Sequence, residues 1–292
     1  MSFLLTDELV KFLSLSTQNS RYGDSKSRIS IDQNTILTHN GTSISEIVIL
    51  REKNWFKSSA IYDLKEIKPH SRLTSAKSVE LREDDMGISI YDTRNKFRCP
   101  KPNEYTDFIQ PDFSNIPKTL VAIVRTLPWV EQCASVASDN PDDISNYIYV
   151  NKEFVVSQQE GQLAILNNKD TVFDLVNGTK ELFIPKICIT AMVNMTDRRR
   201  MKFYRIYTGN NLINIEASMY NAFRFVYPYQ RPFGEFSFYK YTKFPKSIIG
   251  KGCVVVSNLR QLIQKYYKKF ELVTIIGKDG YMFLDAMSER PI

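Results

Sequence analysis

Basic side chains are concentrated in one part of this 292-residue chain. Residues 198–270 contain 15 Lys or Arg but only two acids, Glu216 and Glu235. Lys and Arg displace the counterions condensed on nucleic acid, so this composition favours phosphate binding. A solvated basic surface with no ligand is the alternative interpretation. The positive charge is local, because residues 1–115 have no net charge although the whole chain carries +7.

The best-defined basic group lies on a predicted helix over residues 258–270. At 100° per residue its apolar side chains occupy one arc and its polar side chains the other. The polar arc has no acid, and its cations are Arg260, Lys265, Lys268 and Lys269. Three consecutive arginines, Arg198, Arg199 and Arg200, form a second candidate group. We expect these seven residues to contact phosphate.

Residues that could perform other chemistry are sparse. The four cysteines have no CxxC spacing and only two histidines exist, so we expect no zinc site, no metal cofactor and no histidine-based catalysis. The motifs GxxxxGK[ST], GxGxxG after a strand, HExxH and GxSxG are missing. Residues 83–85 and Asp142–Asp143 could supply metal-binding carboxylates, as in a nuclease, although both lie in turn-like sequence. The sequence therefore predicts a protein that is not an enzyme.

Aromatic residues give a further alternative, a single-strand binder that stacks bases inside a basic groove. Their alternating spacing is more typical of strands packed in a core. The residues concerned are Tyr204, Tyr207, Phe223, Phe225, Tyr227 and Tyr229.

A repeated pattern indicates the elements that position these groups. About four apolar residues precede a polar or Pro residue and then an amphipathic helix, as in SFLL-T-DELVKFL, ELFI-P-KICITAM and CVVV-S-NLRQLIQ. Looser copies start at Trp55 and Val121. Helix starts are therefore predicted near residues 6, 58, 126, 185 and 257.

Each predicted helix is followed by alternating β-type sequence with tight-turn residues. Turns are predicted near Asp85-Met86-Gly87, Arg94-Asn95, Gly209-Asn210-Asn211 and Tyr220-Asn221, and a hairpin around residues 277–280. One helix backed by several antiparallel strands recurs every 50 to 70 residues. We predict an α+β fold of repeated βαβββ units, with domains at 1–115 and 116–230 and a fifth unit at 231–292.

The apolar runs are too short for a transmembrane helix, and the first residues do not resemble a signal peptide. The longest apolar runs are about five residues, far below the roughly 18 that span a bilayer. The opening MSFLLTDELVKFL lacks a basic n-region and a cleavage site. We expect no membrane contact and a cytoplasmic location.

Three segments carry a resemblance to a known family. The segments occur in the order found in DNA sliding clamps: YVNKEFVVSQQEGQLAIL, through Gly161 and Leu163; ELFIPKICITAM, through Ile184 and Pro185; and FRFVYPYQRPFGEF, through Arg224, Pro228 and Arg231. Gln159-Glu160 replaces the usual Thr-Asp, and Gln162 replaces an Arg. The doubled βαβββ unit also resembles the clamp domain. The chain thus resembles a divergent sliding clamp of phage or viral type.

This resemblance implies a function and partners. A sliding clamp is a homo-oligomeric ring, here a dimer or trimer, that encircles double-stranded DNA and tethers a DNA polymerase as a processivity factor, in some cases with a clamp loader. It implies that the basic helix faces line the ring, and that Gly161, Leu163, Pro228 and Arg231 form a pocket for a partner peptide. A viral clamp would work in the host cytoplasm. Four units plus a fifth match neither the trimeric nor the dimeric chain length, so residues 231–292 are predicted as an extension or a shortened third domain.

Overall fold

The computed structural model describes residues 2–17, 28–50, 56, 60–63, 78–84, 87–91, 96–98, 111–125, 127–159, 162–168, 172–195, 203–218, 221–232, 272–278 and 281–287. The chain divides into two compact units, Met1–Gly234 and Glu235–Ile292. In the second unit, β18 (Leu272–Lys278) and β19 (Tyr281–Met287) form an antiparallel hairpin, as predicted.

The first unit contains three described helices and seventeen described strands. The helices are α1 (Asp7–Leu15), α2 (Leu127–Ala134) and α3 (Lys186–Asn194). The strands are β1 (Ser2–Thr6), β2 (Arg28–Asp32), β3 (Thr35–His39), β4 (Ile44–Ile49), β5 (Ala60–Asp63), β6 (Ser78–Asp84), β7 (Gly87–Tyr91), β8 (Lys96–Arg98), β9 (Thr119–Val124), β10 (Tyr147–Asn151), β11 (Phe154–Gln159), β12 (Gln162–Asn167), β13 (Phe173–Leu175), β14 (Glu181–Pro185), β15 (Tyr204–Gly209), β16 (Leu212–Ser218) and β17 (Asn221–Pro228).

A nine-stranded sheet joins the two halves of the first unit. Its strand order is β13-β9-β15-β16-β17-β4-β3-β2-β5. The two halves meet where β17 pairs antiparallel with β4, with Arg224 opposite Glu46 and Val226 opposite Ile44. We call this β4–β17 contact the junction. Two four-stranded sheets, β1-β6-β7-β8 and β12-β11-β10-β14, complete the unit.

The helices bury their apolar sides together. Helix α1 begins after Thr6, whose hydroxyl accepts a hydrogen bond from the Leu9 amide at 3.3 Å. Asp7 and Glu8 lie in its first turn, where their negative charge interacts favourably with the positive end of the helix dipole. Its fully buried Phe12 contacts Phe223 of β17 edge to face, with the ring centroids 6.1 Å apart. Helix α3 packs against both α1 and α2. The helix layer therefore spans the junction, as the sheet does.

Two hydroxyls attach α1 to the sheet beneath it. Thr38 of β3 donates to the Leu13 carbonyl at 2.6 Å, and Ser45 of β4 donates to the Phe12 carbonyl at 3.0 Å. Both carbonyls lie near the end of the helix, where no further turn supplies donors. These bonds explain why polar side chains occupy fully buried positions in β3 and β4.

Strand alternation places a second, smaller apolar cluster apart from the main core. It consists of Leu37, Ile44, Ile116 and Val226, which come from both halves of the unit and from the segment that connects them. Ile116 is 9% exposed and follows a short 3-10 turn at Phe113–Asn115. The connecting segment thus contributes an apolar side chain to the junction.

An ionic ladder crosses the junction. The Arg224 guanidinium lies between two carboxylates, with Nη1 2.9 Å from Glu46 Oε2 and Nε 3.2 Å from Glu216 Oε1. The Glu46 side chain is only 10% exposed, and burial raises its pKa above 4.5, although Arg224 lowers it; Glu216 adds a smaller upward contribution. Removal of the cation would leave a buried charge without compensation.

The predicted α+β architecture is confirmed. The helix starts near residues 6, 126 and 185 are correct to within one residue, and the strands around each predicted turn are present. The prediction of a helix that starts near residue 58 is wrong for the described residues 60–63. Ala60–Asp63 is strand β5, which pairs with β2. The fifth predicted helix, at 258–270, lies outside the described residues.

No described helix is long and apolar enough to cross a membrane.

The ladder leads to a prediction about stability and pH. Because the pKa of Glu46 is higher in the folded chain than in the unfolded one, its contribution to stability is full below about 4.5 and is lost as the pH rises through the folded pKa. Glu46→Gln should therefore be no less stable than the natural chain at pH 7, with a weaker pH dependence above 4.5. Urea unfolding between pH 5 and 8 measures both.

The opposite substitution should be damaging. Arg224→Gln leaves Glu46 and Glu216 without their cation and should cost about 2–3 kcal/mol at pH 7, less than a fully buried pair because Arg224 is 35% exposed. The loss should shrink at acid pH as Glu46 takes a proton. Asp174→Asn, which removes an exposed partner of Arg125, is the control and should change stability by less than about 0.5 kcal/mol. Equal losses for the two substitutions would contradict the role given to the ladder.

Candidate partner-binding site

The segment after β17 bridges two sheets. The Tyr229 amide donates to the Asn211 carbonyl, at the β15–β16 turn, over 2.7 Å. Two residues further on, Arg231 forms an ion pair with Glu181 of β14, in the other sheet. The Arg231 guanidinium also lies 5.5 Å from the centroid of the Phe183 ring, over its face. Residues 229–232 are therefore held at both ends.

This segment and the β15–β16 turn enclose an open pocket of about 950 Å³. Its described lining is Thr208, Gly209, Asn210, Asn211, Tyr229, Gln230, Arg231 and Pro232, and we call it the turn pocket. Asn210 and Asn211 have positive φ angles of 52° and 55°, a conformation that Asn tolerates better than most residues. Arg231 is the only one of these lining residues that carries a formal charge.

Glu181 has a second partner besides Arg231. The Tyr149 hydroxyl lies 3.1 Å from Glu181 Oε2, and the Asn151 amide donates to that hydroxyl at 3.4 Å. Tyr149 also contacts Phe183 edge to face, with the ring centroids 5.1 Å apart. The β10–β14 pairing brings these side chains together, since Tyr149 is opposite Phe183 and Asn151 is opposite Glu181.

Tyr229 is the apolar part of the wall. Burial raises the pKa of its phenol to about 12, while a hydrogen bond with the Phe183 backbone and the nearby Arg231 charge lower it. The phenol therefore stays neutral at physiological pH. A neutral, mostly buried ring beside an exposed guanidinium suits a ligand with both an apolar and an anionic group.

A second, smaller pocket of about 300 Å³ lies beside the junction. Its described lining is Phe113, Ile116, Pro117, Lys118, Tyr207, Glu216 and Arg224. Both acids near Arg224 already neutralise it, and the Asn214 amide donates to Glu216 at 3.1 Å. The polar groups of this pocket therefore bond chiefly to one another.

The residues predicted for the peptide pocket are only partly brought together. Arg231 lines the turn pocket, and Pro228 is the exposed last residue of β17, opposite Leu212. Leu163 lies on β12, three strands away from β14 in the β12-β11-β10-β14 sheet, or about 14 Å. Gly161 and the seven residues predicted to contact DNA lie outside the described residues. The four-residue pocket stays a prediction.

Sequence reasoning missed Glu181, Phe183 and Tyr149. Their signal in the sequence is weak: Glu181 is the one charged residue of the apolar strand ELFIP, and Phe183 shares its face by alternation. Their approach to Arg231, 50 residues away in the chain, is a long-range contact that no local pattern reports.

The other predicted chemistry finds less support in the structure. Among the described residues no group of three His, Cys, Asp or Glu side chains is placed to hold a metal ion. Asp143 accepts a hydrogen bond from the Ser145 amide and caps a 3-10 turn. Tyr204, Phe223 and Phe225 are buried, so they cannot stack nucleic-acid bases.

Known structures with the same architecture are DNA sliding clamps. No family model and no curated protein sequence matches the chain. The DNA polymerase sliding clamp of Bacillus subtilis matches at a TM-score of 0.53 and 11% identity, over 98% of this chain and 83% of that one. The chain has the sliding-clamp fold.

Two further clamps were solved with partners. The Helicobacter pylori beta clamp bound to a DNA ligase peptide matches at a TM-score of 0.51 and 11% identity, over 94% of this chain and 77% of that one. A. fulgidus PCNA, bound to the C-terminal region of FEN-1, matches at 0.53 and 13% identity, over 80% of this chain and 99% of that one. The predicted clamp-type fold is thereby confirmed.

The clamp fold buries the two described cysteines, which leads to a prediction. Burial raises the pKa of the Cys133 thiol to about 11, against a smaller lowering by Ser157, and it also raises the pKa of Cys188. Because the thiolate is the reactive form, neither should react with iodoacetamide in the native chain at pH 8. Peptide mapping by mass spectrometry should show labelling of both only after unfolding. Rapid native labelling of either would contradict this burial.

Proposed function

We propose that this protein is a sliding clamp, a homo-oligomeric ring that encircles double-stranded DNA and tethers a DNA polymerase as a processivity factor. The observation that carries the proposal is the clamp fold itself, which extends over nearly the whole chain. The sheet that continues through the junction, with a helix layer spanning it, supports a ring wall built from repeated units.

Sheet edges support assembly from several copies. Within the described residues, the end strands of the two four-stranded sheets, β1 and β8 in one and β12 and β14 in the other, each pair with one neighbour only. Exposed edge strands pair readily with strands of another chain. We propose that two or three copies close a ring through such edges, with a clamp loader as a further partner.

Charge on the described helices points to where DNA would be bound. α1 carries Asp7, Glu8 and Lys11, so its solvent-facing side is not basic. Lys186 at the start of α3 is engaged by Asp139 at 2.8 Å and by the Ala137 carbonyl. We therefore propose that DNA contact depends on the seven predicted cations at 198–200 and 260–269, through few and weak phosphate contacts that permit sliding.

The alternatives are less well supported. Burial of Tyr204, Phe223 and Phe225 removes half of the proposed stacking residues of a single-strand binder. The capping role of Asp143 accounts for one of the carboxylates proposed for a nuclease. We accordingly propose a binding scaffold that works without a cofactor, in the cytoplasm, or in the host cytoplasm for a phage or viral clamp.

Topological retention on DNA tests the proposal. The chain should be released from a nicked circular plasmid when the plasmid is linearised, since a ring slides off free ends while a directly bound protein stays. Sedimentation should give a mass of two or three times 33.9 kDa at micromolar concentration. A monomer whose binding is insensitive to linearisation would refute the ring. Preference for single strands, or metal-dependent cleavage, would favour the corresponding alternative.

Charge reversal tests the DNA-contacting residues. Changing Lys265, Lys268 and Lys269 together to Glu should abolish stimulation of the polymerase on long templates. It should also reduce the slope of log K for DNA binding against log salt concentration by about three, one for each lost phosphate contact. Lys11, Lys152 and Lys180 changed together to Glu make the matched control, because these exposed residues undergo the same change of charge elsewhere. Equal loss in both triple variants would show a general charge effect instead.

A further inference from the structure

The Arg231–Glu181 ion pair at the turn pocket is open enough for another carboxylate to replace Glu181 as the partner of Arg231. The Arg231 side chain is 67% exposed and that of Glu181 is 33% exposed, so water and a ligand can reach both. Ion pairs this open to solvent contribute little to stability. A carboxylate arriving from outside therefore meets a cation whose present partner is easily displaced.

Neighbouring groups reduce the cost of exchange on both sides. Glu181 contacts Arg231 through Oε1 and the Tyr149 hydroxyl through Oε2, so it keeps the Tyr149 hydrogen bond when a ligand displaces its Oε1 from Arg231. The guanidinium also lies over the Phe183 ring, a contact independent of the Glu181 carboxylate that can hold the cation at the pocket while a second carboxylate binds it. Neither charge is left without a partner during the exchange.

The surroundings favour a peptide carboxylate as the incoming group. Arg231 is the one cation among the described lining residues, whereas a nucleic acid is held by several cations placed along its backbone. Tyr229 and Pro232 supply apolar surface next to it, and the asparagine turn at 210–211 supplies backbone and amide groups. An acidic residue followed by apolar residues matches this arrangement of charge and apolar surface.

We propose that Glu181 is a resident carboxylate that occupies Arg231 until an acidic residue of a partner peptide replaces it. Glu181 is then a positioning and specificity-determining residue, because it makes the pocket select peptides that offer their own carboxylate. The inference rests on the proposed function, in which the chain tethers a polymerase, and it takes the turn pocket as the place where a peptide of such a partner binds.

Two matched probes test the exchange, acetyl-Asp-Leu-Phe-amide and acetyl-Asn-Leu-Phe-amide, titrated into the full chain by NMR or calorimetry. The natural chain should prefer the Asp probe. Glu181→Gln removes the competing carboxylate and should strengthen Asp-probe binding about three- to tenfold, with less than a twofold change for the Asn probe. Glu153→Gln, which removes an exposed acid from the β10–β11 turn, should change neither.

Arg231 variants separate exchange from a purely structural role. Arg231→Gln should abolish the difference between the probes, and the double variant Glu181→Gln with Arg231→Gln should behave like Arg231→Gln alone, since Glu181 acts through Arg231. Equal effects of Glu181→Gln on both probes, or no effect on either, would overturn the proposal. So would failure of both probes to bind any variant, while retention on circular DNA decides separately whether the chain is a clamp.

Discussion

The antiparallel pairing of β17 with β4 is the contact on which the rest of the unit depends. It joins residues 178 positions apart, such as Arg224 and Glu46, and turns two separate groups of strands into one sheet. Closing so long a loop is entropically costly, so the contact must be reinforced on both faces. Phe12 and Phe223 pack on the helix side, while Ile44, Ile116 and Val226 pack on the other.

Register at the junction is specified by charge as well as by apolar pattern. A slip of two residues would keep the apolar side chains on the correct face, so alternation alone does not exclude it. It would, however, place Arg224 opposite Val48 or Ile44 and leave Glu46 buried without its cation. Burial raises the pKa of Glu46 and Arg224 lowers it less. A buried ion pair often adds little net stability, so we infer that the ladder serves the specificity of strand pairing.

Local chemistry explains what could be predicted from the sequence. Gly209-Asn210-Asn211 favours positive φ and therefore a tight turn, and Thr6 marks the start of α1 because its hydroxyl caps the helix. At residues 60–63 the local periodicity fits a helix equally well. These residues form a strand because they pair with β2, a long-range contact that the local pattern does not report. The Arg231–Glu181 and Arg224–Glu46 pairs could not be predicted, because each joins distant positions that only the folded sheets bring together.

The pairing of β17 with β16, its other neighbour in the nine-stranded sheet, determines where the turn pocket lies. Residues 229–232 continue directly from β17, whose last residue, Pro228, is opposite Leu212 at the start of β16. A two-residue shift of β17 against β16 would carry Arg231 about 7 Å along the strand direction, beyond reach of Glu181. The β16–β17 register, in which Arg224 is opposite its ion-pair partner Glu216, therefore positions the Arg231 cation beyond the end of β17. Arg224 thus takes part in two registers, one that joins the halves of the unit through Glu46 and one that aligns the site at which a partner would bind.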